Sequence, residues 1–278
     1  MLPKILLSLL FLSMFLSNNL NAEFLENAKY IGSFSGKKLL IIRDDKWKSI
    51  GSGVDFKIIK LARSESGLDI VIKFLRVDLK LIRAKVVYSK NSETRFKNVK
   101  NIIEKDDAIA AINGSYFDVN GNPLGLLIAD GKTINNRIVT HPLYSGIFYI
   151  KEDMPYIVYK DNFQSSGVTE AIQVGPILIA DGKDAEDFKD IHSIHYRSGI
   201  AIDNSGKVII YATDTNYNGI SLHEVRQVMR LSDISCMNVL NLDGGGSTQI
   251  YISTPSFSDY ITGNTDIPVA IGFYPVRK

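Results

Sequence analysis

Apolar and charged residues interleave with near period two at positions 54–62 and again at 68–88, with a turn-like stretch at 63–67 between them. Alternation of that kind buries one face of a strand, so the pattern predicts a long antiparallel hairpin. A short helix is predicted at 98–105. It delivers the chain into an apolar strand at 108–112, which stops at Asn113-Gly114-Ser115-Tyr116-Phe117-Asp118. The sequence Leu-Ile-Ala-Asp-Gly-Lys occurs at 127–132 and again at 178–183. Both copies read as strand, Asp-Gly turn, strand, because Asp-Gly suits the positive-φ positions of a tight hairpin. Another hairpin is predicted around Asn204-Ser205-Gly206. Ser221-Leu222-His223-Glu224 then opens a helix with a capping box, and Leu222, Val225, Val228 and Met229 fall on one face of it. That helix is expected to pack on a sheet and to lead into an apolar strand at 239–242, directly before Asp243-Gly244-Gly245-Gly246-Ser247-Thr248. A further strand is expected at 249–252, and residues 269–274 are expected to close the sheet.

Strands outnumber helices and hairpins dominate. The predicted fold class is therefore α+β, with a mixed, largely antiparallel β-sheet core, hairpins and a few packing helices. Residues 1–22 carry Lys4, an apolar run at 5–16 and a polar stretch ending at Ala22. The run is shorter than the ~20 residues a membrane span needs, and the pattern is that of a signal peptide. The expected organisation is a signal peptide at 1–22, a peripheral segment at 23–70 and one domain at 71–278. The expected destination is periplasmic or extracellular, with no stable membrane anchor after cleavage.

Composition narrows the function. A formal net charge of +2 carries no basic excess that would point to nucleic acid. Cys236 is the single cysteine, so no intramolecular disulfide can form, and a small buried apolar role suits it. With 4 histidines in the chain and no HExxH spacing, His192 and His195 at i, i+3 do not make a metal motif. No metal and no cofactor are expected.

Polar clusters where apolar strands stop are the candidates for chemistry. Three consecutive glycines after Asp243 sacrifice backbone entropy that a simple hairpin would not require, so either a ligand approaches the bare backbone there or the segment is a flexible turn. In the first case Gly244, Gly245 and Gly246 would line the approach and Ser247 and Thr248 would add hydroxyls. Asn113, Gly114, Tyr116 and Phe117 could give a polar floor and a stacking platform for a sugar, with Asp118 as a charged rim; a type I′ turn with core aromatics and an Asx turn at Asp118 explains the same residues. Arg197, just before a strand, has a planar fork suited to phosphate, or it makes a surface ion pair. Asp214 is another strand-end carboxylate.

Taken in order, these motifs resemble the phosphodiester glycosidase family. The resemblance rests on Asn113 to Phe117, on Gln173-Val174-Gly175-Pro176-Ile177-Leu178 and on Arg197-Ser198-Gly199-Ile200-Ala201. It continues in Asp214 with Gly219-Ile220-Ser221-Leu222-His223-Glu224, and in Asn241-Leu242-Asp243-Gly244-Gly245-Gly246-Ser247. It spans about residues 75–274. Ser115 stands where the family has a second glycine, Ser198-Gly199 where it has Thr-Ala, and Asp266-Ile267 where an arginine is expected. The resemblance implies hydrolysis of the glycosidic bond in a sugar 1-phosphodiester. Asp243, Arg197, Asp214 and Asp118 would then be the catalytic candidates, acting on a glycan or sugar-phosphate substrate. Two other readings compete: a metal-dependent phosphodiesterase using His192, His195, Asp203 and Asp214, and a non-catalytic glycan-binding envelope protein using Tyr116 and Phe117.

Overall fold

A computed structural model describes residues 29–34, 37–64, 69–89, 98–103 and 107–276. The expected signal peptide lies outside the described residues, as do positions 65–67 of the turn in the first hairpin. Among the described residues the chain forms three sheets, of ten, five and five strands, in which every strand pair is antiparallel. Two short α-helices, Val99–Ile103 and Leu222–Met229, accompany them. The expected antiparallel sheet core is therefore present, but the architecture is mainly β. The α+β balance was overestimated because the helices are too few and too short to form a layer of their own. No helix among the described residues is long and apolar enough to cross a membrane.

The largest sheet runs, in spatial order, Lys29–Phe34, Lys37–Asp44, Val54–Arg63, Asp69–Val77, Val208–Thr213, Ser198–Asp203, Cys236–Asn241, Ile177–Ala180 and Lys183–Asp184, with Lys48–Gly51 paired to Val54–Arg63. Its two central strands, Val208–Thr213 and Ser198–Asp203, are buried at every residue. Such strands are apolar on both faces because both faces are covered. On one face Leu75, Ile200, Ile210 and Leu240 share a core with Phe148, Ile172, Ile250 and Phe273 of the two smaller sheets. On the other, Phe74, Ala201, Ile209 and Val239 meet Leu222, Val225, Val228 and Met229 of the longer helix, as its amphipathic spacing requires. The capping box is present: Ser221 Oγ accepts from the Glu224 amide, and the Glu224 carboxylate accepts from the Ser221 amide. Cys236 is buried at the edge of this second core.

The long hairpin breaks where alternation alone did not show it. Asp69–Val77 pairs with Val54–Arg63 throughout, but the Asp78 carbonyl then accepts from the amides of Leu81 and Ile82, and Asp78 Oδ1 accepts from the Lys80 amide. That turn sends Ile82–Tyr88 into a different sheet, beside Val269–Pro275. Period two survives a change of sheet, so periodicity could not reveal it. The Asp-Gly turns form as expected, with φ of +48° and +72° at Asp130 and Gly131 and +48° and +73° at Asp181 and Gly182.

Candidate active site

Antiparallel pairing places four strand ends side by side. Ser198 faces Ala212, Gly199 faces Asn241 and Ile177 faces Leu240, so the start of Ser198–Asp203, the ends of Val208–Thr213 and Cys236–Asn241, and the start of Ile177–Ala180 share one edge of the large sheet. The Ala110–Asn113 strand of another sheet meets them there. Asn113, fully buried, donates from Nδ2 to the Asp243 carbonyl at 2.5 Å and accepts from the Gln249 amide at 3.1 Å. The Asp243 amide donates to the Gly114 carbonyl at 3.1 Å, and Ser198 Oγ donates to the Asp243 carbonyl at 2.9 Å. Two segments 130 positions apart are thus fastened through the main chain of Asp243. Asn113 and Gly114 build the floor, and Ser198 supplies a hydroxyl where the family pattern has threonine.

The Asp243 carboxyl is pushed up to about 6 by burial, partly offset by hydrogen bonds from Ser247 and from the Gly244 amide. Tyr116 donates its hydroxyl to the Gly175 carbonyl at 2.6 Å. Its ionisation is raised by burial and then by the Asp243 charge, while Arg197 pulls the other way. Tyr116 therefore sits within electrostatic reach of both groups. Arg197 donates from Nε to the Ile220 carbonyl at 3.2 Å and from Nη2 to the Ser193 carbonyl at 2.6 Å. No carboxylate among the described residues lies within ion-pair distance of it. Burial lowers its pKa, against the opposing pull of Tyr211 and Tyr116. A half-buried guanidinium held by neutral carbonyls keeps its net charge available to an incoming anion. Among the described residues the surface ion pair that competed with this role is not formed.

The other carboxylates are engaged differently. Asp118 accepts from the amides of Asn120 and Asn122, each at 2.8 Å, and from Asn122 Nδ2 at 2.9 Å, which organises its own loop. Asp214 lies at the same sheet edge, but it is buried against Lys73 Nζ at 3.3 Å and accepts from the amide and side chain of Asn216. Phe117 packs with Val99, Ile103 and Ala111 in a small apolar cluster.

The three glycines serve the turn. The amides of Gly245, Ser247 and Thr248 donate to the carbonyls of Tyr196, Gly244 and Gly245. The Gly245 amide is therefore spent within the turn and is not free to join an anion nest. A methyl at Gly244 would stand 2.8 Å from the Tyr196 carbonyl oxygen, whereas Gly245 has a φ of +61° and open space around its missing side chain. Close approach explains the first and left-handed backbone the second. Ser247 closes the turn on Asp243, and Thr248 is fully buried behind it. Gly245→Ala is expected to destabilise the fold by about 1 kcal/mol in denaturant titrations through its positive φ. It should also raise KM, because the methyl enters the open space beside Asp243; an unchanged KM would place the substrate elsewhere.

The candidate ligands of the metal-dependent reading are not brought together. Asp203 closes the far end of the strand that begins at Ser198, roughly 17 Å away at 3.4 Å per residue. There it accepts from Ser205 and Lys207. The His192 ring lies 4.8 Å from that of His223, and His195 pairs through its backbone with Ile220. Among the described residues no three His, Cys, Asp or Glu side chains gather so as to hold an ion.

Sequence reasoning missed Tyr144. Its ring lies 4.9 Å from that of Tyr116, and its ionisation is raised by burial and by Asp243, with Arg137 opposing. No local pattern marks it, since it belongs to a single 3-10 turn, Pro142–Tyr144. Asn241, read only as part of a strand and motif, donates to the carbonyls of Gly175 and Leu242 and so fixes the strand end from which Asp243 projects.

The family model for phosphodiester glycosidases matches residues 106–274, which contain all five motifs. The human N-acetylglucosamine-1-phosphodiester alpha-N-acetylglucosaminidase is 26% identical over 183 residues, covering 57% of this chain and 35% of the human protein, so the chain spans about a third of that relative's length. The catalytic domain of the zebrafish protein of the same name, in a structure auto-inhibited by its pro-peptide, shares the fold with a TM-score of 0.63 and 19% identity, over 86% of this chain and 88% of that one. A hypothetical protein from Synechocystis is similar with a TM-score of 0.52 and 15% identity, over 90% of this chain and 76% of its own.

Proposed function

Since the chain belongs to the phosphodiester glycosidase family, we propose that it is an exported hydrolase that cleaves the glycosidic bond of a sugar 1-phosphodiester in an envelope or extracellular glycan. The observation that carries this reading is Asp243, its carboxyl desolvated and its main chain fastened to Asn113, Gly114 and Ser198, with Tyr116 within electrostatic reach of both it and Arg197. Arg197 binds the phosphodiester, and the sugar rests against Tyr116 and Tyr144. The bond from the anomeric carbon to oxygen breaks with its electron pair leaving on the phosphate oxygen. A phosphate group, with a second pKa near ~6, departs with less proton donation than an alcohol needs. The Asp243 carboxylate faces the positive charge that develops on the sugar, and water ultimately supplies the hydroxyl while its proton passes to solvent. Burial strengthens that charge interaction relative to water. The apolar leader followed by Ala22 supports export.

The test uses N-acetylglucosamine 1-(methyl phosphate), the sugar being suggested by the human relative's name, in water enriched in heavy oxygen. The label should appear in the released sugar. Label in methyl phosphate would mean cleavage at phosphorus and would overturn the reading; absence of turnover of any sugar phosphodiester would favour a binding protein. The pH profile follows from the raised Asp243 pKa. The reactive form is the carboxylate, so kcat/KM should rise from pH 5 to 7 with a midpoint near the value of about 6 set by burial. A profile that falls over that range would make Asp243 the proton donor instead.

A further inference from the structure

Beside Tyr116 runs a strap, residues 136–144, that leaves the small sheet and ends in the Pro142–Tyr144 turn. It is built rather than loose. Gln173, fully buried, accepts from the Val139 amide at 2.9 Å and donates to the carbonyls of Val139 at 2.8 Å and Tyr144 at 3.0 Å. Lys160 Nζ donates to the Thr140 carbonyl at 3.0 Å, and His141 Nδ1 accepts from the Leu143 amide at 3.2 Å. These bonds set the His141 ring edge-on to Tyr144 at 6.4 Å and the Tyr144 ring 4.9 Å from Tyr116. Arg137 and His141 are exposed on the strap. Among the described residues no carboxylate is within ion-pair distance of Arg137, His141 or Lys160. Opposing effects of Arg137 and Asp243 on the Tyr144 phenol place both within electrostatic reach of that ring.

We propose that this strap is a second anion subsite, in which Arg137, with His141 and Lys160 beside it, holds the phosphate adjacent to the one being cleaved, so that the substrate is a polymer of repeating sugar phosphates. The inference rests on the function proposed above and specifies its substrate class. Arg197, within electrostatic reach of Tyr116, takes the scissile diester. A substrate with one phosphate leaves the strap's positive field unmatched, whereas a chain with a phosphate in every repeat occupies both sites. Tyr144, its ring 4.9 Å from that of Tyr116, offers that ring to the intervening sugar.

Binding is measured by calorimetry on the Asp243→Asn protein, which separates affinity from turnover. The probes are N-acetylglucosamine 1-(methyl phosphate), with one phosphodiester, and an oligomer of N-acetylglucosamine 1-phosphate with several. The oligomer should bind more tightly, and the advantage should shrink with added salt. Arg137→Gln should weaken the oligomer about tenfold or more beyond any effect on the single diester, the range for a lost hydrogen bond to a charged group. Equal weakening of both probes would place Arg137 on the scissile phosphate; no effect on either would make it an unengaged surface cation. Either result overturns the proposal, as does an oligomer with no advantage. Wild-type turnover of the single diester without preference for the oligomer would leave the function standing and remove the polymer; absence of both binding and turnover would remove both.

Discussion

Asp243→Asn should reduce kcat on a sugar phosphodiester by roughly a hundred- to ten-thousandfold, equivalent to about 3–5 kcal/mol of transition-state stabilisation. Asparagine keeps the size and an acceptor oxygen, but it cannot oppose the positive charge that develops on the sugar. The fold should not suffer. A carboxyl whose pKa is raised to about 6 by burial binds its proton more tightly folded than unfolded. Stability therefore falls as pH rises from the ordinary aspartate value near ~4 through the folded value, and at pH 7 the charge is destabilising. The melting temperature of Asp243→Asn at pH 7 should accordingly match or exceed that of the wild type. If the variant retains more than about a tenth of wild-type turnover, a loss under ~1.4 kcal/mol, Asp243 is not the reacting carboxylate and Asp214 becomes the next candidate.

Arg197→Lys keeps the charge and should still lower kcat/KM roughly a hundredfold, about 3 kcal/mol. The guanidinium uses Nε and Nη2 on the carbonyls of Ile220 and Ser193, which fixes its plane and leaves its other donors for a ligand. One ammonium nitrogen cannot span those two carbonyls and also grip two phosphate oxygens in a plane. The loss should fall on phosphodiester substrates and be smaller for an analogue with a neutral leaving group. Near-wild-type turnover, or equal loss on both substrates, would make Arg197 a structural residue of the turn around Ser193.

Features closed within a few residues were legible in the sequence. The Asp-Gly turns at Asp130 and Asp181, the Ser221 and Glu224 capping box and the buried helix face at Leu222, Val225, Val228 and Met229 all appear as expected. Their geometry depends on backbone φ and on donors two to four residues away, which a short window contains. The segments at Asn113 and Asp243 were legible too, as polar clusters at the ends of apolar strands. The break at Asp78 and the shortage of helix were not, since alternation is the same whichever sheet a strand joins.

The sequence by itself determined which residues end strands and carry polar groups. Only the tertiary structure decided which of them meet. Asp243, Asn113 and Ser198 are joined through the Asp243 carbonyl because two sheets bring distant strand ends into hydrogen-bond range. Asp214 and Asp118 carry the same functional group at equally suggestive positions, yet one is buried on Lys73 and the other is wrapped by amides of its own loop. The Gly245 amide is spent on the Tyr196 carbonyl within the turn that follows Asp243, and Tyr144 arrives from a segment without a motif because buried Gln173 clamps its carbonyl. A carboxylate's chemistry is set by what desolvates it and what donates to it, and those neighbours come from strands whose pairing is fixed by packing across the whole core.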